Sequence, residues 1–249
     1  MSQAPEKTPA DAWERLRQLT PARVALGRTG TGLATAPLLA FELAHARARD
    51  AVHAAFDPGR ITADLAPLAV IPVRSQATDR GIYLQRPDLG RRLDPAAAAG
   101  LAPGGYDIAF VIADGLSATA VHAHAAPTLR ATLARLTGWN VAPIVVASQA
   151  RVALGDDIGE RLGARMVVVL IGERPGLSAP DSLGAYLTWG PRIGRRDNER
   201  NCISNVRPPD GLTHEQAADR LAWLLRAARR LQLSGVGLKE ESGGVPPLP

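Results

Sequence analysis

The hydrophobic rhythm of the chain changes near residue 105. Before that point apolar positions recur at helical spacing or come in short pieces cut by proline; after it they come as aliphatic runs of strand length. Residues 38–56, LLAFELAHARARDAVHAAF, predict a helix that stops before the turn signature Asp57-Pro58-Gly59. A shorter helix is predicted over residues 11–19, where Trp13, Leu16 and Leu19 share one face. Residues 67–105 are interrupted by Pro72, Pro87, Pro95 and Pro103 and read as a loop-rich connector with a helix near 96–99.

From Tyr106 onward strands and helices alternate. Strands are predicted over residues 107–113 (DIAFVIA), 141–147 and 165–171, each apolar on both faces. Between them lie a helical run over 117–136, interrupted at Pro127, and a short helix over 156–162 closed by Gly163. A last helix opens with Thr213 and Gln216 as a capping box and runs through Trp223 and Leu224 to Leu233, before Gly235. Doubly apolar strands separated by helices indicate a parallel sheet covered on both faces. The expected class is therefore α/β: a Rossmann-like parallel sheet flanked by helices, preceded by a smaller, mainly helical N-terminal region. The expected organisation is an arm (1–20), a helical and loop-rich region (21–104), the Rossmann-like domain (105–240) and a flexible tail (241–249).

Composition narrows the function classes. With 249 residues, 46% of them apolar, the chain can bury one generous core or two small ones. No apolar run approaches the roughly 18–20 residues that cross a bilayer, and the opening segment lacks the apolar core of a secretory signal. A cytoplasmic location and no membrane partner are expected. One cysteine can form neither an intrachain disulfide nor a thiolate metal cluster. The net charge of +5 comes from scattered residues, all basic ones but Lys7 and Lys239 being arginine, and aromatics are only 4%. That pattern gives neither a basic stripe nor base-stacking platforms, so no nucleic-acid partner is expected.

Several motifs invite chemistry and are set aside on spacing. The glycine-rich segment from Gly27 to Gly32 precedes a helix but has no lysine for a P-loop and no third small residue for a dinucleotide fingerprint. His122 and His124 are two apart on a helix and cannot converge on one ion. His45, Arg49 and His53 share a face, but a cation between two histidines marks a solvated or subunit-facing surface. Ser117 follows a strand as a natural helix cap and lacks the nucleophile elbow. Cys202 reads as a small hydrophobe or, alternatively, a thiol nucleophile. What remains is geometric: the ends of the last two predicted strands bring residues 148–152 and 172–176 to one sheet edge, with the polar segment 195–205 able to fold over them. The crevice expected there offers backbone amides, Glu173, Arg174 and residues 201–205, a lining suited to a large amide-rimmed ligand.

The blocks ALGRTGTGLATAPLLAFELAHARARDAVHAAF, DRGIYLQRPDLGRRL, IADGLSATAVHAHA, GERPGL and NCISN, in that order, closely resemble the small subunit of ethanolamine ammonia-lyase. The resemblance covers all but about the first twenty and last dozen residues. It implies a subunit of a carbon–nitrogen lyase that converts ethanolamine to acetaldehyde and ammonia by radical chemistry. It further implies adenosylcobalamin at the interface with a large subunit that holds the substrate site, in an assembly of six large and six small subunits. The family's small-subunit cofactor contacts fall on Val152, Glu173 and Cys202; no catalytic residue and no metal ligand is expected in this chain. The D-x-H-x-x-G signature that replaces the cofactor's lower base elsewhere is missing, so base-on binding is expected. A bacterial microcompartment is the implied location where the source builds one, and the 11–19 helix is then either a docking helix or an encapsulation tag.

Overall fold

The computed structural model describes residues 12–20 and 22–239. The tail 241–249 and the first residue of the 11–19 helix lie outside them. One compact unit extends to Arg47 and a second begins at Ala48.

In the first unit, α1 (Ala12–Leu19) exposes Trp13, Leu16 and Leu19. The glycine-rich segment forms a tight turn: Thr29 and Gly32 exchange backbone hydrogen bonds of 2.9 and 3.2 Å. The amides of Thr29 and Gly32 thus serve the closure of the turn itself. It leads into α2 (Thr35–His53), which continues into the second unit.

The second unit is built on a six-stranded sheet in the order β1-β3-β2-β4-β5-β6. Its strands are β1 (Val70–Arg74), β2 (Ile108–Ala113), β3 (Ile144–Ser148), β4 (Met166–Gly172), β5 (Leu183–Trp189) and β6 (Arg200–Val206). β1 to β4 pair in parallel, whereas β4–β5 and β5–β6 are antiparallel. The all-parallel sheet expected from the sequence is therefore corrected to a mixed, mostly parallel one. β1, within the segment read as a connector, adds a fourth parallel strand. Residues 183–206, whose 195–205 stretch reads in sequence as a polar covering segment, form an antiparallel hairpin at the opposite edge.

Strand alternation separates two apolar layers. Met166, Val168 and Leu170 of β4 face one layer with β2 residues Ile108, Phe110 and Ile112. Against these pack α3 (Pro58–Leu65), α5 (Ala118–Leu133) and α7 (His214–Leu231), while the short α4 (Arg80–Gln85) buries Tyr83. Val167, Val169 and Ile171 face the other layer, which receives Leu154 and Ile158 of α6 (Leu154–Arg161) and Leu93 and Leu101 from the segment before β2. α2 stops before Asp57-Pro58-Gly59 as expected, but that segment, read as a turn, begins α3: the Asp57 carboxylate accepts the Arg60 N–H and Pro58 needs no hydrogen bond at a first turn. α5 runs through Pro127 without a break. α7 carries the expected Thr213/Gln216 capping box, and Gln232 ends it in the left-handed conformation.

Candidate functional site

Directly between the ends of β3 and β4 the C-terminal strand edge is filled by the chain itself, while the segments 148–152 and 195–205 expected at this edge do meet at a recess. β2 lies between β3 and β4, and the turn after it plugs the gap: the Asp114 carboxylate accepts the N–H groups of Gln149 and Ala150 at 3.0 and 2.9 Å. Arg80 reaches the same carboxylate at 3.6 Å and its guanidinium donates to the Gly115 carbonyl at 2.8 Å. Leu116 N–H donates to the Gly172 carbonyl, and a Cβ on Gly172 would strike the Ser117 carbonyl oxygen at 2.1 Å. No ligand fits where backbone meets backbone.

The open surface lies instead on the α6 side of the sheet, over β5 and β6. Glu173 directly follows β4, and its carboxylate accepts from Ser182 Oγ at 2.5 Å, Ser204 Oγ at 2.6 Å and the Asn205 N–H at 3.2 Å. The glutamate thus ties the end of β4 to both antiparallel strands. Asn205 adopts φ 61°, beside the register shift between Leu183 and Ala185, a conformation asparagine tolerates.

Two residues from Ser204, Cys202 pairs in register with Tyr186, which sets the two side chains beside each other. Cys202 lies on the exposed side of β6, but its sulphur is crowded by Tyr186 and Glu173. Burial pushes the thiol up, so it stays protonated near neutrality and is not a thiolate nucleophile. Burial likewise raises the Tyr186 hydroxyl, helped by Cys202, Glu173 and Asp197. This small set of protonated and acceptor groups is built to hydrogen-bond.

Val152 precedes α6 and borders the same apolar layer as Tyr186. It lines a recess of about 440 Å³ together with Arg151, Arg91, Arg195, Arg196 and Asp197. Glu173 and Tyr186 meet beside Gly184 and Cys202 pairs with Tyr186 across the strands, whereas Val152 borders the apolar layer on which Tyr186 packs and the recess that Asp197 lines. α6 is clamped to β6 by a buried ion pair: both Arg200 terminal nitrogens donate to Asp156 carboxylate oxygens at 2.7 Å. Tyr186 and Ser182 left no signal in the sequence, because β5 carries no alternation of apolar and polar residues that would separate its faces.

The other candidates have structural tasks or open surfaces. Ser117 is fully buried, caps α5 through the Ala120 N–H and donates to the Pro180 carbonyl at 2.9 Å. His45, Arg49 and His53 are all exposed along α2. His122 accepts the Asp57 N–H at 3.0 Å, while His124 turns to His214 on α7, nitrogen to nitrogen 3.1 Å. Among the described residues no group of three histidine, cysteine or acidic side chains could hold a metal.

Burial pushes the pKa of both His124 and His214 down. The unfolded chain therefore binds more protons than the folded one below about pH 6.5, so their contribution is complete above that pH and shrinks as pH falls through the depressed folded values. The urea midpoint is expected to drop on going from pH 7.5 to 5.5, and less steeply in His214→Asn. Parallel pH profiles for the two proteins would show that the pair has no part in it.

The family model described as ethanolamine ammonia-lyase light chain (EutC) matches residues 10–239. A Ralstonia nicotianae protein named ethanolamine ammonia-lyase small subunit is 56% identical, with 96% of this chain and 94% of the relative covered. Proteins of the same name from Xanthomonas campestris pv. campestris and Pseudomonas syringae pv. tomato are 56% and 55% identical, covering 96% and 94% of this chain and 91% and 85% of theirs.

Proposed function

The chain belongs to the ethanolamine ammonia-lyase light-chain family, and we propose that it holds one side of adenosylcobalamin on the open face of β5 and β6, at Val152, Glu173 and Cys202. It is the small subunit of a carbon–nitrogen lyase, an enzyme acting on ethanolamine, and a large subunit is its partner. The reaction yields acetaldehyde and ammonia, and the groups that touch the substrate belong to the large subunit.

The observation that carries the cofactor reading is the hydrogen-bonding state of Glu173. A carboxylate has about four acceptor positions, and internal donors take three here. One is left for an amide N–H arriving from outside, on a surface where Ser204 and Cys202 are exposed. A corrin is a broad apolar disc fringed with primary amides, and this face offers it both packing and an anionic acceptor. When bound, the cofactor supplies the radical that starts the reaction. This chain orients the ring: Glu173 takes an amide proton in a charge-assisted bond, the Cys202 thiol and Tyr186 hydroxyl keep their protons, and Val152 contributes packing. None of these groups changes its bonding during turnover. Base-on binding, which the lack of a D-x-H-x-x-G signature in this chain supports, and six small with six large subunits are the cofactor state and assembly we propose, housed in a microcompartment where the source builds one.

The test mixes the chain with its large subunit, adenosylcobalamin and ethanolamine. Acetaldehyde is expected from the mixture and from neither subunit alone. The EPR spectrum of the cob(II)alamin state is expected to show coupling to the cofactor's own base nitrogen; coupling to a protein histidine nitrogen would overturn the base-on assignment. A particle mass of six copies of each subunit would accompany activity, and a mixture that forms no complex would defeat the subunit role of these surfaces.

A further inference from the structure

The recess beside Val152 has a charge that the amide rim of a corrin does not explain. Four arginines, Arg91, Arg151, Arg195 and Arg196, line it with a single acidic residue, Asp197. The chain balances them only in part. Arg195 is engaged by Glu199 and by the Gly190 carbonyl. Asp197 is almost wholly exposed and lies 3.7 Å from Arg200. Among the described residues Arg91 and Arg196 have no ion pair.

Arg151 is the most constrained of the four. Its guanidinium stacks on the Tyr83 ring at 4.1 Å and donates to the Tyr83 carbonyl at 3.1 Å. Tyr83 is itself fully buried and donates its hydroxyl to the Ala150 carbonyl at 3.2 Å. This fixes the fork. A guanidinium held in place among like charges is a site prepared for an anion.

Resting on the cofactor reading above, we propose that this arginine recess receives the phosphodiester of the cofactor's lower nucleotide loop. That group is the fixed negative charge of a ligand whose periphery is otherwise neutral amide. Planar guanidinium groups match phosphate oxygens in charge and geometry, and Val152, a proposed cofactor contact, adjoins Arg151 in the chain. Glu173 and Cys202 then read the amide rim, and the arginines read the loop beneath it. Ethanolamine, a cation, is repelled from the same recess.

Equilibrium dialysis of the assembled two-subunit enzyme decides the matter with two probes: cyanocobalamin and dicyanocobinamide, which lacks the nucleotide loop and its phosphodiester. Arg151→Met is expected to weaken cyanocobalamin binding about tenfold or more and to change cobinamide binding by less than about twofold. Inorganic phosphate at millimolar concentration is expected to compete with cyanocobalamin alone. Should Arg151→Met fail to fold, the exposed pair in Arg91→Met/Arg196→Met gives the same comparison. Equal losses for both probes, or none for either, would overturn the phosphodiester site while leaving the cofactor reading intact. A parent enzyme that binds neither probe would overturn the cofactor reading itself.

Discussion

Arg200→Met is expected to destabilise the chain by about 3–5 kcal/mol, because it leaves the Asp156 carboxylate buried without its counter-charge. Both side chains are nearly sealed, at 3% and 2% exposure. Burial disfavours the Asp156 carboxylate and the bidentate guanidinium opposes that shift; for Arg200, burial pulls downward and the carboxylate more than offsets it. The pair is thus held ionised by mutual contact, and neither member is tolerable alone. For a chain of this size the loss corresponds to a melting temperature lower by roughly 6–20 °C. Urea denaturation measures it, and Asp156→Leu/Arg200→Met is expected to recover most of the loss by replacing two charges with packed apolar groups. Recovery stays incomplete, since Arg200 also donates to Thr188 Oγ1 and the Arg195 carbonyl. A single variant as stable as the parent would show that Asp156 is neutralised by some other route.

Glu173→Ala is expected to weaken cobalamin binding by the assembled enzyme about 10- to 100-fold, the worth of a charge-assisted hydrogen bond of roughly 1.5–3 kcal/mol. At saturating cofactor the turnover number is expected to change only a few-fold, because the carboxylate orients the ring and takes no part in bond breaking. The glutamate also fastens β4 to the hairpin, so its removal strands two serine hydroxyls. Ser204→Ala separates the roles: it removes one internal donor and leaves the carboxylate free to bind an amide, so cofactor affinity is expected to stay within about threefold of the parent. Affinity unchanged in Glu173→Ala, by titration of cobalamin absorbance, would sink the assignment; equal losses in both variants would reduce Glu173 to a strap.

The strands that could be read from the sequence are those buried on both faces. β2 and β4 present unbroken aliphatic runs, Ile108–Ala113 and Met166–Gly172, because each is covered by helices on both sides. α7 announced itself by its capping box, whose hydrogen bonds are local. β6 was illegible for the opposite reason. Arg200–Val206 is an edge strand with Asn201, Cys202, Ser204 and Asn205 largely facing solvent or polar neighbours, so its strand character comes from pairing with β5 and leaves little hydrophobic trace. The proline in β1 hid that strand in the same way. For the site, strand-end logic led to Val152 and Glu173 and the resemblance to Cys202. The sheet face they flank depended on the antiparallel hairpin, and the partnership of Glu173 with Ser182 and Ser204 spans up to 31 residues of sequence. No local pattern encodes such a contact.

The two margins of the sheet have a bearing on how the molecule stays out of fibres. At one margin β1 carries Pro72 in its middle, which lacks the N–H a further strand would need. At the other, the Asn201 side chain bonds the carbonyls of Gly235 and Leu238 and the Gly235 N–H, drawing the segment after α7 alongside β6, while Leu212 bridges Val206. A sheet stopped by proline on one side and by its own chain on the other gives no template for strand addition. Another polypeptide must dock through side chains, by shape and charge, and crowding many copies together does not open a route to edge-to-edge polymerisation.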